Sequence, residues 1–141
     1  MNQKDLKKVS EAAKQIYDYG CYFMSLLYVR KIPYSEIASL DELLKYYDTF
    51  IAKSWMGPDC YVKDPCAILK FLTGNTYTVK KSEVLDPNSN IIIGRWYNPT
   101  TNHSHFVVMD SNNNVIYDPL GESLTVAGGA VESYRLFYEC K

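Results

Sequence analysis

No run of the chain reaches the roughly 18 consecutive apolar residues that a membrane-crossing helix needs. The longest, Cys21 to Val29, is about half that, so no bilayer span is expected. Neither sign of charge dominates: 15 Lys and Arg face 16 Asp and Glu, and a net charge of -1 gives no footprint for nucleic acid or an anionic membrane surface. The 4 cysteines, at positions 21, 60, 66 and 140, include no C-x-x-C pair, and their spacing excludes the usual structural zinc sites. The opening stretch MNQKDLKKVSEAAK spreads its charges and has no apolar core, so it does not read as a secretory signal peptide. A soluble cytoplasmic protein is the expectation, with its cysteines as free thiols; Cys60 and Cys66 would pair only after export by another route. Repeats and low-complexity runs are also missing, and 141 residues fit one domain spanning 1–141.

What is present divides into two halves. Asp5 to Lys14 carries Leu6, Val9, Ala12 and Ala13 at helical spacing, and predicts an amphipathic first helix leading into a loop at Gln15. Asp18, Tyr19 and Gly20 read as the end of that loop. From Cys21, the residues Phe23, Met24, Leu26, Leu27 and Val29 predict a buried helix that stops near Lys31, ahead of Pro33. Ser39 with Glu42 is a capping-box signal for a third helix to about Lys53. Asp64, Pro65 and Gly74 bracket a fourth.

After Gly74 the pattern turns to strands: Thr76 to Lys80, Ile91 to Tyr97, His103 to Asp110, Val115 to Tyr117 and Ser133 to Tyr138. Helices first and strands second predict an α+β fold, with N-terminal helices packed on a C-terminal antiparallel sheet. The 13 tyrosines, with no positive field around them, read as packing and hydrogen-bonding groups at the edge of a core.

The chemistry starts at Cys21. A cysteine in the first turn of a helix faces unsatisfied N-H groups and the positive end of the helix dipole, which favour the thiolate form. Only 2 histidines are available as its base, His103 and His105, and both open the strand HSHFVVMD. His105 is the better placed, because the apolar run that would hold a base in position starts directly after it. Asp118, before Pro119, follows on the next strand. A thiol nucleophile needs a base within hydrogen-bond reach, and a carboxylate that accepts the base's other N-H fixes its tautomer. Taken singly, Cys21 reads more readily as a packed helix cysteine, His105 as a polar strand end and Asp118 as a turn former, and only their coincidence with Gln15 in order favours catalysis.

The order Gln15, Cys21, His105-Phe106-Val107-Val108, Asp118-Pro119 resembles the papain-like cysteine peptidases. The similarity is greatest to the bacterial branch that trims double-glycine leader peptides. The resemblance implies a papain-like fold and a cysteine hydrolase acting on an amide, as a rule a peptide bond. Cys21 would be its nucleophile, His105 its base and Asp118 the residue orienting His105. Gln15, six residues before Cys21, would supply an oxyanion donor beside the Cys21 N-H. No cofactor or metal is implied, and oligomeric state stays open. Tyr22 departs from the pattern, standing where that branch often has glycine. The same scaffold admits a cell-wall amidase, a deamidase, an acyl transferase, or a catalytically silent binding module whose cleft Tyr22 blocks.

Strand parity then tests Asp118. With Asn112 and Asn113 as a two-residue turn, Ser111 pairs with Asn114, Met109 with Ile116 and Val107 with Asp118. His105 and Asp118 then share a face as diagonal neighbours. A three-residue loop would turn Asp118 to the other face, unless a bulge restored the parity.

Overall fold

Short polar side chains set where most of the helices begin. In the computed structural model, which describes residues 2–6 and 10–141, Ser10 accepts from Ala13 N and opens α1 (Glu11–Tyr19). The next helix, α2 (Cys21–Tyr28), has Gly20 at its N-cap and no side-chain cap. Ser39 accepts from Glu42 N at the start of α3 (Leu40–Ala52), and Asp64 accepts from Ala67 N ahead of α4 (Pro65–Thr73). That helix closes on Gly74 at φ 80, a left-handed position that glycine takes without steric cost.

The first helix differs from the sequence expectation. A short 3-10 helix covers Gln3–Leu6, Val9 lies outside the described residues, and α1 starts at Glu11 and runs on through Gln15, Asp18 and Tyr19. Ser10 supplies the cap, and Ala13 and Ile16 continue the buried stripe, so the expected loop from Gln15 to Gly20 shrinks to Gly20 alone. The second helix also stops earlier than expected. Arg30 Nη1 donates to Leu27 O at 3.0 Å and to Ser35 O at 2.6 Å, and so satisfies a carbonyl of the last turn.

Five strands follow: β1 (Tyr77–Ser82), β2 (Ile91–Asn98), β3 (His103–Met109), β4 (Val115–Tyr117) and β5 (Ala130–Glu139). A short helix, α5 (Leu124–Ala127), capped by Ser123, lies between the last two. The sheet is antiparallel throughout, in the order β1-β5-β2-β3-β4. Alternation along the strands splits it into two apolar faces. Ile91, Ile93, Val108, Tyr117 and Phe137 pack against the helices, where Phe23, Leu26, Leu27, Phe50, Ile68 and Leu69 are buried. Ile92, Val107, Met109, Tyr134 and Leu136 form a smaller cluster on the other side. The α+β class expected from helices first and strands second is the observed one. Among the described residues, no helix is long and apolar enough to cross a membrane.

The β3–β4 hairpin is where register matters. Asp110 N donates to Asn114 O and Asn113 N to Asp110 O, with Asn113 at φ 68, so the tip is a three-residue loop rather than the two-residue turn expected. Met109 accordingly pairs with Val115 and not with Ile116. One pair further on the register shifts, and Val108 pairs with Tyr117. Ile116 is the extra residue of this bulge, and its exposed side chain is free to sit outside the ladder. The bulge restores the parity that the loop removes.

Glycine is required at the α1–α2 junction because a Cβ at Gly20 would stand 2.5 Å from Ile16 O and 2.7 Å from Ile16 Cγ2. Gly20→Ala is expected to destabilise the fold by about 1–3 kcal/mol through this overlap. Urea unfolding with an unchanged slope and a lowered midpoint is the expected result. A midpoint equal to wild type would show that the junction relaxes without cost.

Candidate active site

The site forms where β3 loses its neighbour. β4 pairs only with Val108 and Met109, which leaves the earlier part of β3 uncovered on that edge. The N-terminus of α2 reaches this edge, and Phe106 N donates to Cys21 Sγ at 3.5 Å. Cys21 is the first residue of α2 and is partly exposed, while Phe23 through Leu27 behind it are buried. The buried body of this apolar helix thus anchors the thiol at its start. Ser25 Oγ donates to Cys21 O at 2.7 Å and further fixes that turn.

His105, one residue before Phe106 on β3, has a side chain that is 6% exposed. Its Nε2 donates to Asp118 Oδ1 at 2.6 Å, and the Cys21 thiol lies close enough to influence the ring. With Nε2 taken by the carboxylate, Nδ1 is the ring nitrogen left for the sulfur. Burial works against a charged imidazole here, but the hydrogen bonds and charges of Asp118 and Cys21 outweigh it and raise the His105 pKa to about 9.

Asp118 is held from several directions. Oδ1 also accepts from Leu120 N at 2.9 Å, and Oδ2 accepts from Ser123 Oγ at 2.8 Å. Burial raises the pKa of this carboxyl, yet the hydrogen bond and charge of His105, with the Ser123 and Leu120 donors, bring it below the ordinary carboxylate value. The turn role and the partner role that the sequence left as alternatives coexist in one side chain. Its Oδ1 closes a turn onto Leu120 while binding His105.

Two cavities meet at Cys21. One, of about 410 Å³, is lined by Cys21, Tyr22, Cys60, Tyr61, Phe106 and Arg135, among others. The second, of about 560 Å³, is lined by Cys21, His105, His103, Tyr17, Ser123 and Leu124, among others. Tyr22 stacks on Phe106 with ring centroids 4.6 Å apart, so it forms a wall of the first cavity and leaves the cavity open. His103 is exposed on the rim of the second.

Gln15 is the one expected site residue that the fold does not bring to the others. It sits on α1, its Nε2 donates to Glu11 Oε1 at 3.1 Å, and it lines a separate cavity with Glu11, Tyr47 and Lys63. The loop that would have let its amide turn towards Cys21 is helical here. The four cysteines are free, and burial pushes the Cys60 thiol up to about 12 and raises that of Cys66. Among the described residues, no cluster of three or more His, Cys, Asp or Glu is arranged to hold a metal ion.

Three residues of the site carried no functional signal in the sequence. Gln3 is 2% exposed; its Nε2 donates to Ile16 O at 2.8 Å and Tyr17 O at 3.1 Å, and its N-H donates to Pro119 O at 2.7 Å. It therefore ties the end of α1, just before Cys21, to the segment just after Asp118. Ser123 is recognisable as a cap for α5, but nothing local shows that its hydroxyl also donates to Asp118. Arg135 reads as an ordinary strand cation until the fold sets it in the cavity beside Cys21.

Residues 2–139 match the family described as protein of unknown function, DUF261, and the chain belongs to that family. No curated protein and no solved structure matches it.

The His105–Asp118 pair predicts a pH dependence of stability. A raised histidine pKa gives stability that is full below the ordinary value of 6.5 and is lost as pH rises through about 9. The lowered Asp118 pKa gives stability that is present above the ordinary 3.8 and is lost as pH falls through the depressed value. Asp118→Asn should bring the His105 titration, followed by NMR of the ring protons, well below 9 and flatten the alkaline limb of the stability profile. A histidine still titrating near 9 in that variant would mean that Asp118 is not what holds the proton on it.

Proposed function

We propose that this DUF261 chain is a papain-like cysteine hydrolase that cleaves an amide, with peptides as the substrates to try first. The observation that carries the reading is the buried hydrogen bond between the His105 imidazole and the Asp118 carboxylate, with the Cys21 thiol beside the same ring. The open cavity on each side of Cys21 supports it, since an extended chain could pass over the sulfur from one to the other.

In this reading His105 Nδ1 holds the thiol proton and Cys21 Sγ attacks the amide carbon, forming a C–S bond while the carbonyl π electrons move onto oxygen. The Cys21 N-H, free of any helical acceptor at the start of α2, points to the oxyanion as its donor. His105 then gives its proton to the departing nitrogen as the C–N bond breaks. Water, deprotonated by His105, attacks the thioester and releases the acid and the thiol. Asp118 keeps Nε2 protonated and Nδ1 facing the sulfur throughout. Gln15 would join the oxyanion only after leaving Glu11. That position favours the second reading, a silent binding module on the same scaffold.

Iodoacetamide labelling at about pH 6, read by peptide mass spectrometry, separates the two. An unperturbed thiol is almost wholly protonated there, so a base-paired Cys21 should label on the order of tenfold to a hundredfold faster than the other three cysteines. His105→Ala should remove that advantage. Faster labelling of Cys60, Cys66 or Cys140 would refute the nucleophile assignment, and a Cys21 no faster than exposed Cys140 would favour the binding module.

A further inference from the structure

The cavity beside Cys21 contains a cation that forms no direct ion pair among the described residues. Arg135 lies on the sheet face that packs against the helices, and its guanidinium stands over the Phe106 ring at 5.4 Å. Only Nη1 is engaged, donating to Ser133 Oγ at 3.0 Å, which leaves most of the five N-H donors of the guanidinium unused. Glu132, the extra residue where the β2–β5 register shifts, pairs with Arg95. Among the described residues no carboxylate comes within 4.0 Å of Arg135. Asp59 is the one carboxylate lining the same cavity, and its Oδ1 accepts from Tyr61 N at 3.1 Å.

Tyr22 adds a second donor. Its ring is stacked on Phe106, it lines the same cavity, and its position is set by the same turn of α2 that presents Cys21. Burial lowers the Arg135 pKa and raises that of the Tyr22 phenol, the two groups feeling one another's charge. A bound anion would offset the cost of holding a half-buried guanidinium to which Glu132, itself paired with Arg95, supplies only a through-space charge.

We propose that this cavity is a carboxylate subsite in which the Arg135 guanidinium and the Tyr22 hydroxyl are the donors. The amide attacked by Cys21 then belongs to a peptide that carries a carboxylate close to the scissile bond. This rests on the cysteine hydrolase reading. Two sources supply the same chemistry, an acidic side chain and a free terminal carboxylate. Arg135 is a specificity-determining residue on this account.

The test uses two thiol-alkylating probes with the same reactive carbon, iodoacetylglycine and its neutral amide, iodoacetylglycinamide. In each case the C–S bond forms, the C–I bond breaks, iodide leaves and the thiol proton passes through His105 to solvent. Cys21 should label about tenfold faster with the charged probe, the size expected of one charge-assisted hydrogen bond. Arg135→Gln should abolish the preference, while reaction with the neutral probe, which has no carboxylate to bind, keeps its rate. Tyr22→Phe, which preserves the stack, should lower the preference in part.

Rates that fall together for both probes in Arg135→Gln would make Arg135 a packing residue and overturn the subsite. Equal rates for both probes in the wild-type protein would do the same. A Cys21 that reacts with neither probe faster than Cys140 would overturn the hydrolase reading instead. Protection of Cys21 from the neutral probe then identifies the source. A capped peptide with an internal glutamate and a peptide with a free terminal carboxylate are compared at millimolar concentration, in wild type and Arg135→Gln. Protection by either one that is lost in the variant supports the subsite, and protection by neither removes a carboxylate-bearing peptide as its occupant.

Discussion

The buried hydrogen bond between His105 and Asp118 is the constraint on which the arrangement of the site depends. A carboxylate and an imidazole that are each almost fully covered can stay there only as a satisfied pair, because either one left alone would be a buried polar group without compensation. The backbone must therefore deliver both side chains to the same face of the sheet. It does so through the bulge at Ile116, which corrects the parity set by the loop at Asp110 to Asn114. Ser123 and the Leu120 N-H then take the remaining acceptor capacity of the carboxylate, and through Ser123 the cap of α5 is joined to the same group.

The thiol is brought to this pair by a different device. α2 is an apolar helix whose buried face fixes its rotation, and Gly20 lets it start almost on top of the last turn of α1. Gln3 fastens that turn to Pro119, its side-chain amide donating to Ile16 O and its backbone N-H to Pro119 O, so the nucleophile side and the carboxylate side of the site are linked by one buried residue as well as by His105. Because β4 is only three residues long, the edge of β3 stays open for Cys21, and the Phe106 N-H that might have joined a ladder meets the sulfur instead. A longer β4 would close the site.

The aromatic side chains divide between these tasks. Tyr28 stacks on Tyr117 at 4.1 Å and anchors β4 to α2, so the short strand keeps its place with few ladder bonds. Tyr47 donates through its hydroxyl to Pro58 O and holds the loop that carries Asp59, Cys60 and Tyr61 over the cavity next to Cys21. Tyr22 and Phe106 form the wall of that cavity. The abundance of tyrosine thus has a structural reason: each combines a stacking face with a hydroxyl that can meet a backbone or solvent-facing partner at the edge of a core.

The sequence by itself determined the order of elements and their ends. Ser39, Asp64, Pro65 and Gly74 act through contacts three or four residues away, so their helices begin and stop where local chemistry says they should. The five strands and the α+β class are equally local, because alternation and β-branched content belong to the segment itself. Cys21, His105 and Asp118 were legible as residue types in a fixed order. The meeting of His105 and Asp118 was legible from strand parity, but not its route, a three-residue loop corrected by one extra residue at Ile116 in place of a two-residue turn.

Gln15 lies on a helix and not in the expected loop for a related reason: Ser10 caps α1, and Ala13 and Ile16 carry its buried stripe through a stretch that glycine and polar residues marked as loop. Gln3 was silent because its side-chain partner lies 13 residues away, Ser123 because its bond to Asp118, five residues back, depends on how the chain turns after β4, and Arg135 because its cavity exists only once the sheet has formed. Short-range chemistry is written in neighbouring residues, whereas the site is assembled from contacts whose partners only tertiary packing selects.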